Sequence, residues 1–394
     1  LNDITQPFPP LSAARAAELL AQMIAINSIN PSLVPGGAGE AEIARYIASQ
    51  LSAAGLQASV EGPSPDRPNA VGLLRGAGGG RSLMLVGHSD TVGSESMEIP
   101  PFEPRVEGHR MYGLGSCDMK AGIASMILAA ETLARHGPRL RGDLIIAAVA
   151  DEEYASVGIE DLVRRWRADA GVITEPSGLN LIVAHKGFAW INVDVAGKAV
   201  HGSNFAEGID AITKAGKVLM DYERYEREVL SKVEPEMVSR PSVHASLISG
   251  GRELSSYPGA CRVSLERRTV PGETLDDVQR EVSSLLAGIA ARDPDFEAKA
   301  DVFFFRNAYA VAKSEPVVAC LARAAEAVTG EPASYRAAAG WMDSAVMGAA
   351  GIPTVTFGPS GGGGHSPVEW ADLGSVTKVA EVLLRLAADF CGVA

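Results

Sequence analysis

Four cysteines, Cys117, Cys261, Cys320 and Cys391, are scattered through 394 residues with no CxxC pair and no zinc-finger spacing. That excludes a disulfide scaffold or a thiolate cage and leaves reduced thiols as the expectation. No apolar run approaches the roughly 20 residues of a membrane span. Basic runs are missing too, and the formal net charge is -13. A nucleic-acid partner is therefore not expected. The chain opens at Leu1 on a Pro-rich polar stretch with neither a basic n-region nor an apolar h-region. No secretory signal is read there, and a cytoplasmic location is expected. The phosphate-cradling GxxxxGK[ST] loop is absent, and the glycine run at 78–80 reads most simply as a hairpin turn.

What is present is an ordinary globular composition, 46% hydrophobic and 21% charged, rich in glycine at 42 residues. The length exceeds one ordinary core, so two domains or more are expected. Three apolar runs end in acids or histidine. Residues 82–87 lead into His88-Ser89-Asp90, residues 143–150 into Asp151-Glu152-Glu153, and residues 170–174 into Glu175. Short apolar runs of this kind read as buried strands. In α/β sheets, ligand sites gather at the carboxyl ends of strands.

Helical spacing occurs at 12–25 and 40–54, and short strands are read over 57–75. Residues 119–136 predict an amphipathic helix with Ile123, Met126, Ile127, Ala130 and Leu133 inward. The fold class is α/β, with a mixed, largely parallel sheet. The pattern changes at 189–196, where apolar and polar residues alternate. A charged helix at 208–230, strands at 243–249 and 259–269, and a helix at 274–291 follow. This order fits an inserted α+β domain of ferredoxin-like type. Segments 315–329, 352–357 and 372–390 return to the first domain. The expected division is 1–187 with 300–394 for the catalytic domain, and 188–299 for the insertion.

Among seven histidines, His88 and His365 each follow a strand in a Gly-containing loop, where backbone can approach a metal. His109, His136 and His244 read as structural or surface groups. Asp118, just before a helix, is either a ligand or an N-cap. Glu152 and Glu153 are either a solvated acidic loop or two carboxylates pointing in different directions, one for metal and one for proton transfer. Charge bookkeeping favours two metals. Asp118, Glu153 and Glu175 supply three negative charges beside two neutral imidazoles, and two divalent cations with a bridging hydroxide complete a neutral site. Oxygen and imidazole donors without thiolate suit zinc, cobalt or manganese. Asp90, two residues from His88, fits a carboxylate that orients a ligating imidazole.

In order, the segments GHSDTV (87–92), GLGSCDMKAG (113–122), DEE (151–153), TEP (174–176) and FGPSGGGGHS (357–366) resemble the M20 metallopeptidase family. That family includes acetylornithine deacetylase, succinyl-diaminopimelate desuccinylase, aminoacylase-1 and glutamate carboxypeptidase. The resemblance implies a zinc-peptidase-like catalytic domain, with the insertion as a lid and dimerisation domain of a homodimer. It implies that His88 and Glu175 hold one metal, that His365 and Glu153 hold the other, and that Asp118 bridges them. Glu152 would be the general base for a metal-bridged hydroxide. His201, in Gly-Lys-Ala-Val-His-Gly-Ser, resembles the family's oxyanion-stabilising histidine, against the alternative of a surface residue in a turn. Arg268 resembles a carboxylate-binding arginine, against a plain edge-strand residue.

Two departures from the family pattern bear on the substrate. Ser255-Ser256-Tyr257-Pro258 stands where relatives often carry Asn-x-x-Pro, and Trp341-Met342-Asp343 where many carry Gly-Thr-Asp. Ser255 and Trp341 are thus substrate-binding candidates. The implied activity is hydrolysis of the amide of an N-acyl amino acid or related small molecule. The alternatives are a dipeptidase or carboxypeptidase, hydrolysis of another C–N bond such as that of an aromatic amine, or a metal-binding protein without catalysis.

Overall fold

The computed structural model describes residues 8–394. The first seven residues of the expected catalytic domain lie outside them. The chain divides into two compact units. One runs to Val183 and includes Val311–Arg336 and Met342–Ala394; the other comprises Ala184–Ala310 and Ala337–Trp341.

The first unit is built on a mixed sheet. Its strands lie in the order Gln57–Ser64, Arg67–Leu74, Leu144–Val149, Leu83–His88, Ala170–Ile173, Thr354–Thr356 and Leu181–His185. The central four are mutually parallel and the flanking pairs antiparallel. Leu83–His88 is buried along its whole length, as a parallel strand covered on both faces must be. Met84 and Val86 pack with Ile145, Ala147 and Val149 against the helices Val157–Arg165 and Ser344–Ala349. Leu83 and Leu85 alternate to the opposite face. Each such buried aliphatic side chain contributes about 1.5–3 kcal/mol.

Two expectations are corrected here. The helix Ala121–His136 is not amphipathic: every residue from Ala121 to Leu133 is buried. It packs between the sheet and the helices Ala13–Ala25 and Leu373–Cys391, so its outward face is covered as well. The glycine run at 78–80 is not a hairpin turn. The strands it joins are separated in the sheet by Leu144–Val149, which pairs with both.

In the second unit, Gly187–Ala196 has a strict alternation of burial. Ala189, Ile191, Val193 and Val195 face the helices Ala211–Glu228 and Leu275–Ala290, with Val263 and Leu265 of the neighbouring strand. The antiparallel order is Ser242–Gly250, Ala260–Thr269, Gly187–Ala196, Glu297–Arg306. With the chain order β-α-β-β-α-β, this is the ferredoxin-like arrangement. The expected boundary at 299/300 falls inside the strand Glu297–Arg306. The two helices start on built caps: Asp210 accepts from the Ile212 and Thr213 N–H groups, and Thr274 forms a capping box with Asp277. Among the described residues, no helix is long and apolar enough to cross a membrane.

Candidate metal centre

Parallel register is what assembles this site. His88 lies opposite Val149 and Val86 opposite Ile173, so the ends of three adjacent strands emerge together. They deliver His88, the Asp151-Glu152-Glu153 turn and Glu175 side by side. Gly358 lets a further loop pass close to that edge: a Cβ on it would meet the Glu175 carbonyl oxygen at 2.2 Å. That loop continues to His365, which sits at φ 58°, in the left-handed region.

His88 is buried, with Nε2 3.1 Å from Asp118 Oδ1 and 3.4 Å from Glu175 Oε1. His365 Nε2 lies 3.0 Å from Glu153 Oε2 and 3.5 Å from Asp118 Oδ2. Two groups result, His88/Asp118/Glu175 and Asp118/Glu153/His365, each with its donor atoms within 4.8 Å of one another. Asp118 belongs to both, through different oxygens. Asp118 therefore does not cap the helix that follows, whose first turn has no side-chain cap.

The donor set fits divalent metal ions. Donors at about 2.0–2.1 Å from a tetrahedral ion stand about 3.3 Å apart, close to the four spacings above. The carboxylates also press on one another. Burial, then the charges of Asp118 and Glu153, hold Glu175 well above the usual carboxylate range, against the opposing pull of His88. Burial works against a charged His88, but Glu175, Asp118, Asp90 and Glu152 outweigh it and raise its pKa well above the ordinary value. A cation among these groups would offset the mutual repulsion of the carboxylates.

Glu152 stands beside both groups. Burial first, then Glu175, Asp343 and Glu153, raise its carboxyl well above the ordinary value, and His88 opposes them. Its main-chain N–H and that of Glu153 donate to the two oxygens of Asp90, each at 3.2 Å. The Asp90 carboxylate thus has a second contact besides the expected one with His88. His88 Nδ1 bonds the Asp90 main-chain carbonyl at 3.1 Å, and the carboxylate oxygen is farther, at 3.6 Å. Carbonyl and carboxylate both face the imidazole, and the carboxylate also clamps the acidic turn.

Sequence reasoning passed over the groups behind that clamp. Asn30 donates to Asp90 at 2.8 Å and to Asp151 at 3.0 Å. Arg67 donates to Asp151 at 2.6 Å and holds Glu40 with two bonds of 2.7 and 2.8 Å. Glu369 was also missed; it is buried against the Asp118 turn. Cys117 is a buried thiol pushed up to about 12 by burial and the surrounding carboxylates, which leaves it inert.

The remaining candidates belong to the second unit. His201 is exposed, and its Nδ1 accepts the Ser203 N–H at 3.2 Å. A neutral ring so held carries its proton on Nε2, free to donate. Ser255 is exposed, and its carbonyl accepts the Gly202 N–H at 2.7 Å. Arg268 pairs with Glu266 at 2.6 Å and lies 5.3 Å over the Phe188 ring. Trp341 donates from Nε1 to the Asn307 carbonyl at 3.1 Å and stands edge-on to His185 and Phe188. His244 lies 3.5 Å from Glu266; in the first unit, His109 lies 3.5 Å from Asp372.

A mixed sheet that delivers imidazole–carboxylate groups at its strand ends, with a further acid alongside, defines a metal-dependent hydrolase. The chain belongs to peptidase family M20/M25/M40, whose model matches residues 84–389. It is 29% identical over 357 residues to an acetylornithine deacetylase of Myxococcus xanthus, covering 88% of this chain and 91% of that one. It is 26% identical to the N-formyl-4-amino-5-aminomethyl-2-methylpyrimidine deformylase of Halalkalibacterium halodurans, over 92% of both chains. Its fold matches a dinuclear metal-binding M20 peptidase of Bacillus subtilis with a TM-score of 0.74 at 17% identity, over 95% of this chain and 97% of that one.

Proposed function

We propose that the protein hydrolyses the amide bond of an N-acyl amino acid or a related small amide. The carrying observation is the pair of imidazole–carboxylate groups that share Asp118, with Glu152 at their side. Relatives that include a deacetylase and a deformylase support an acyl group as the part removed. On this reading His88 and Glu175 hold one divalent ion, His365 and Glu153 a second, and Asp118 both. Zinc suits the donors, and cobalt or manganese would serve.

Bound ions supply Lewis-acid polarisation of the amide and lower the pKa of water to about 7. Glu152 takes the proton from the attacking water at its carboxylate and returns it to the departing amine nitrogen. Asp90 fixes Glu152 and Glu153 through their main-chain N–H groups, so the base and the ligand cannot drift apart. His201 offers Nε2–H to the developing oxyanion, and Arg268 pairs with a substrate carboxylate. Ser255 and Trp341 contribute to substrate selection. The molecule acts as a cytoplasmic homodimer. The exposed edge strand Ser242–Gly250, with Leu247 71% and Ile248 55% exposed, supports pairing with a second copy.

A dipeptide is the second reading, favoured by the peptidase among the structural neighbours and by the bulk of Trp341. Hydrolysis by zinc-, cobalt- and manganese-loaded enzyme on N-acetyl and N-succinyl amino acids, dipeptides and aryl amides, with an apo control, separates the two. Metal-dependent release from the acyl amino acids is the expected result. Turnover confined to dipeptides transfers the assignment to the second reading, and silence across the panel with metal bound removes both.

A further inference from the structure

Glu369 lies four residues after His365, at the mouth of the short strand Trp370–Asp372. That strand pairs antiparallel with Arg110–Tyr112, placing Trp370 opposite Tyr112. The register brings Glu369 beside the turn from Gly113 to Asp118. Its side chain is almost fully buried at 2% exposure. Each of its oxygens is engaged by main-chain N–H groups of that turn. Oε1 accepts from Cys117 at 2.8 Å and from Asp118 at 2.9 Å, and Oε2 accepts from Gly115 at 2.8 Å. Its own carbonyl accepts the Gly113 N–H at 3.2 Å. Within the turn, Gly115 sits at φ 74°, where a Cβ would meet Thr91 Cγ2 at 2.7 Å, so this position calls for glycine.

Burying a carboxylate against an apolar core is costly unless it is hydrogen-bonded throughout. Three donors from one turn satisfy this one, and in return they fix the turn. We propose that Glu369 is the positioning residue for Asp118: it sets the main chain from which the shared carboxylate reaches both groups. One buried acid thereby couples two ligands, because Glu369 and His365 ride on the same loop while Asp118 belongs to both groups. The proposal rests on the metal-binding reading above.

Glu369→Gln tests it. The amide keeps the size of the side chain but turns an NH2 toward main-chain N–H donors, so part of the turn loses its acceptor. Zinc affinity is measured by chelator competition for the wild type, Glu369→Gln, Asp118→Asn and Ser125→Ala. The last removes a buried hydroxyl that donates to Ala121 and Val376, without touching the turn. The expected result for Glu369→Gln is a 10- to 100-fold loss of zinc affinity. Both equivalents should weaken, and the visible spectrum of the cobalt-loaded protein should change. Ser125→Ala should retain affinity and spectrum.

Wild-type affinity and spectrum in Glu369→Gln, alongside weakened binding in Asp118→Asn, would overturn the positioning role and leave the metal reading standing. A loss matched by Ser125→Ala would overturn it as merely structural. A wild-type chain that binds no divalent ion would overturn both readings. Should Glu369→Gln not fold, Glu369→Asp, one methylene too short to reach all three donors, is judged by the same outcomes.

Discussion

If Glu152 is the proposed base, its removal should separate metal binding from turnover. It is not a member of either donor group, yet it adjoins both. Glu152→Gln keeps the volume and the main-chain N–H bonded to Asp90, so zinc stoichiometry is expected to be unchanged. Turnover should fall by roughly 10²–10⁴-fold, the usual cost of losing a general base. A variant with wild-type kcat would remove Glu152 from proton transfer. His201 allows a different separation. Its Nδ1 is already engaged by Ser203, and nothing in its exposed turn supports a core. His201→Ala is expected to lower kcat with little change in KM, metal content or melting temperature. Unchanged kcat would return His201 to the surface residue that its sequence context equally allows.

Strand ends made most of this site legible in the sequence. His88, Glu153 and Glu175 each follow a short apolar run, and parallel pairing then forces them together. The groups that sequence reasoning passed over act across long separations: Glu369 reaches Gly115 over 254 positions, and Asn30 reaches Asp151 over 121. No local pattern marks such a partner. Asp90 was legible only in part. Two residues past His88, its carbonyl and its carboxylate are both within reach of the imidazole, but the clamp on the Glu152 and Glu153 N–H groups shows only in the fold. The helix Ala121–His136 was misread because a second layer of helices covers its polar-looking side.

The strand Leu181–His185 carries a further consequence. Its last residue, His185, is buried, and burial depresses its pKa from 6.5 to about 4, against a small opposing bond to the Lys186 carbonyl. Above pH 6.5 neither the folded nor the unfolded chain protonates it. As pH falls from 6.5 toward 4, only the unfolded chain takes up the proton, so stability is lost through that window. Below about pH 4 both states are protonated and the loss is complete, at up to about 3 kcal/mol. Urea midpoints measured from pH 7.5 to 4.5 should therefore fall more steeply in the wild type than in His185→Gln. Parallel curves would show that the imidazole is protonated within the fold.

For the chain as one molecule, the acidic balance and the buried carboxylates act together. The net charge is -13, and Asp118, Glu153, Glu175 and Glu152 are gathered at one site. Without a cation, these groups repel in a medium of low dielectric. With one, the folded state gains a binding free energy that the unfolded chain does not share. The gain grows as RT ln(1 + [metal]/Kd), about 2.7 kcal/mol at a hundredfold excess over Kd. Stability should thus depend on free zinc: chelation lowers the melting temperature, and titration raises it with the logarithm of free metal. Because each unit has its own core, the gain belongs to the unit that holds the five donors. Trp166 and Trp370 report on that unit, and Trp190 and Trp341 on the other. Variants that keep only one pair of tryptophans should show zinc-dependent unfolding in the first pair. Asp118→Asn should flatten that dependence. A melting temperature indifferent to zinc and chelator in the wild type would mean that the folded chain gains nothing from the metal, and the assignment of the five donors would fall with it.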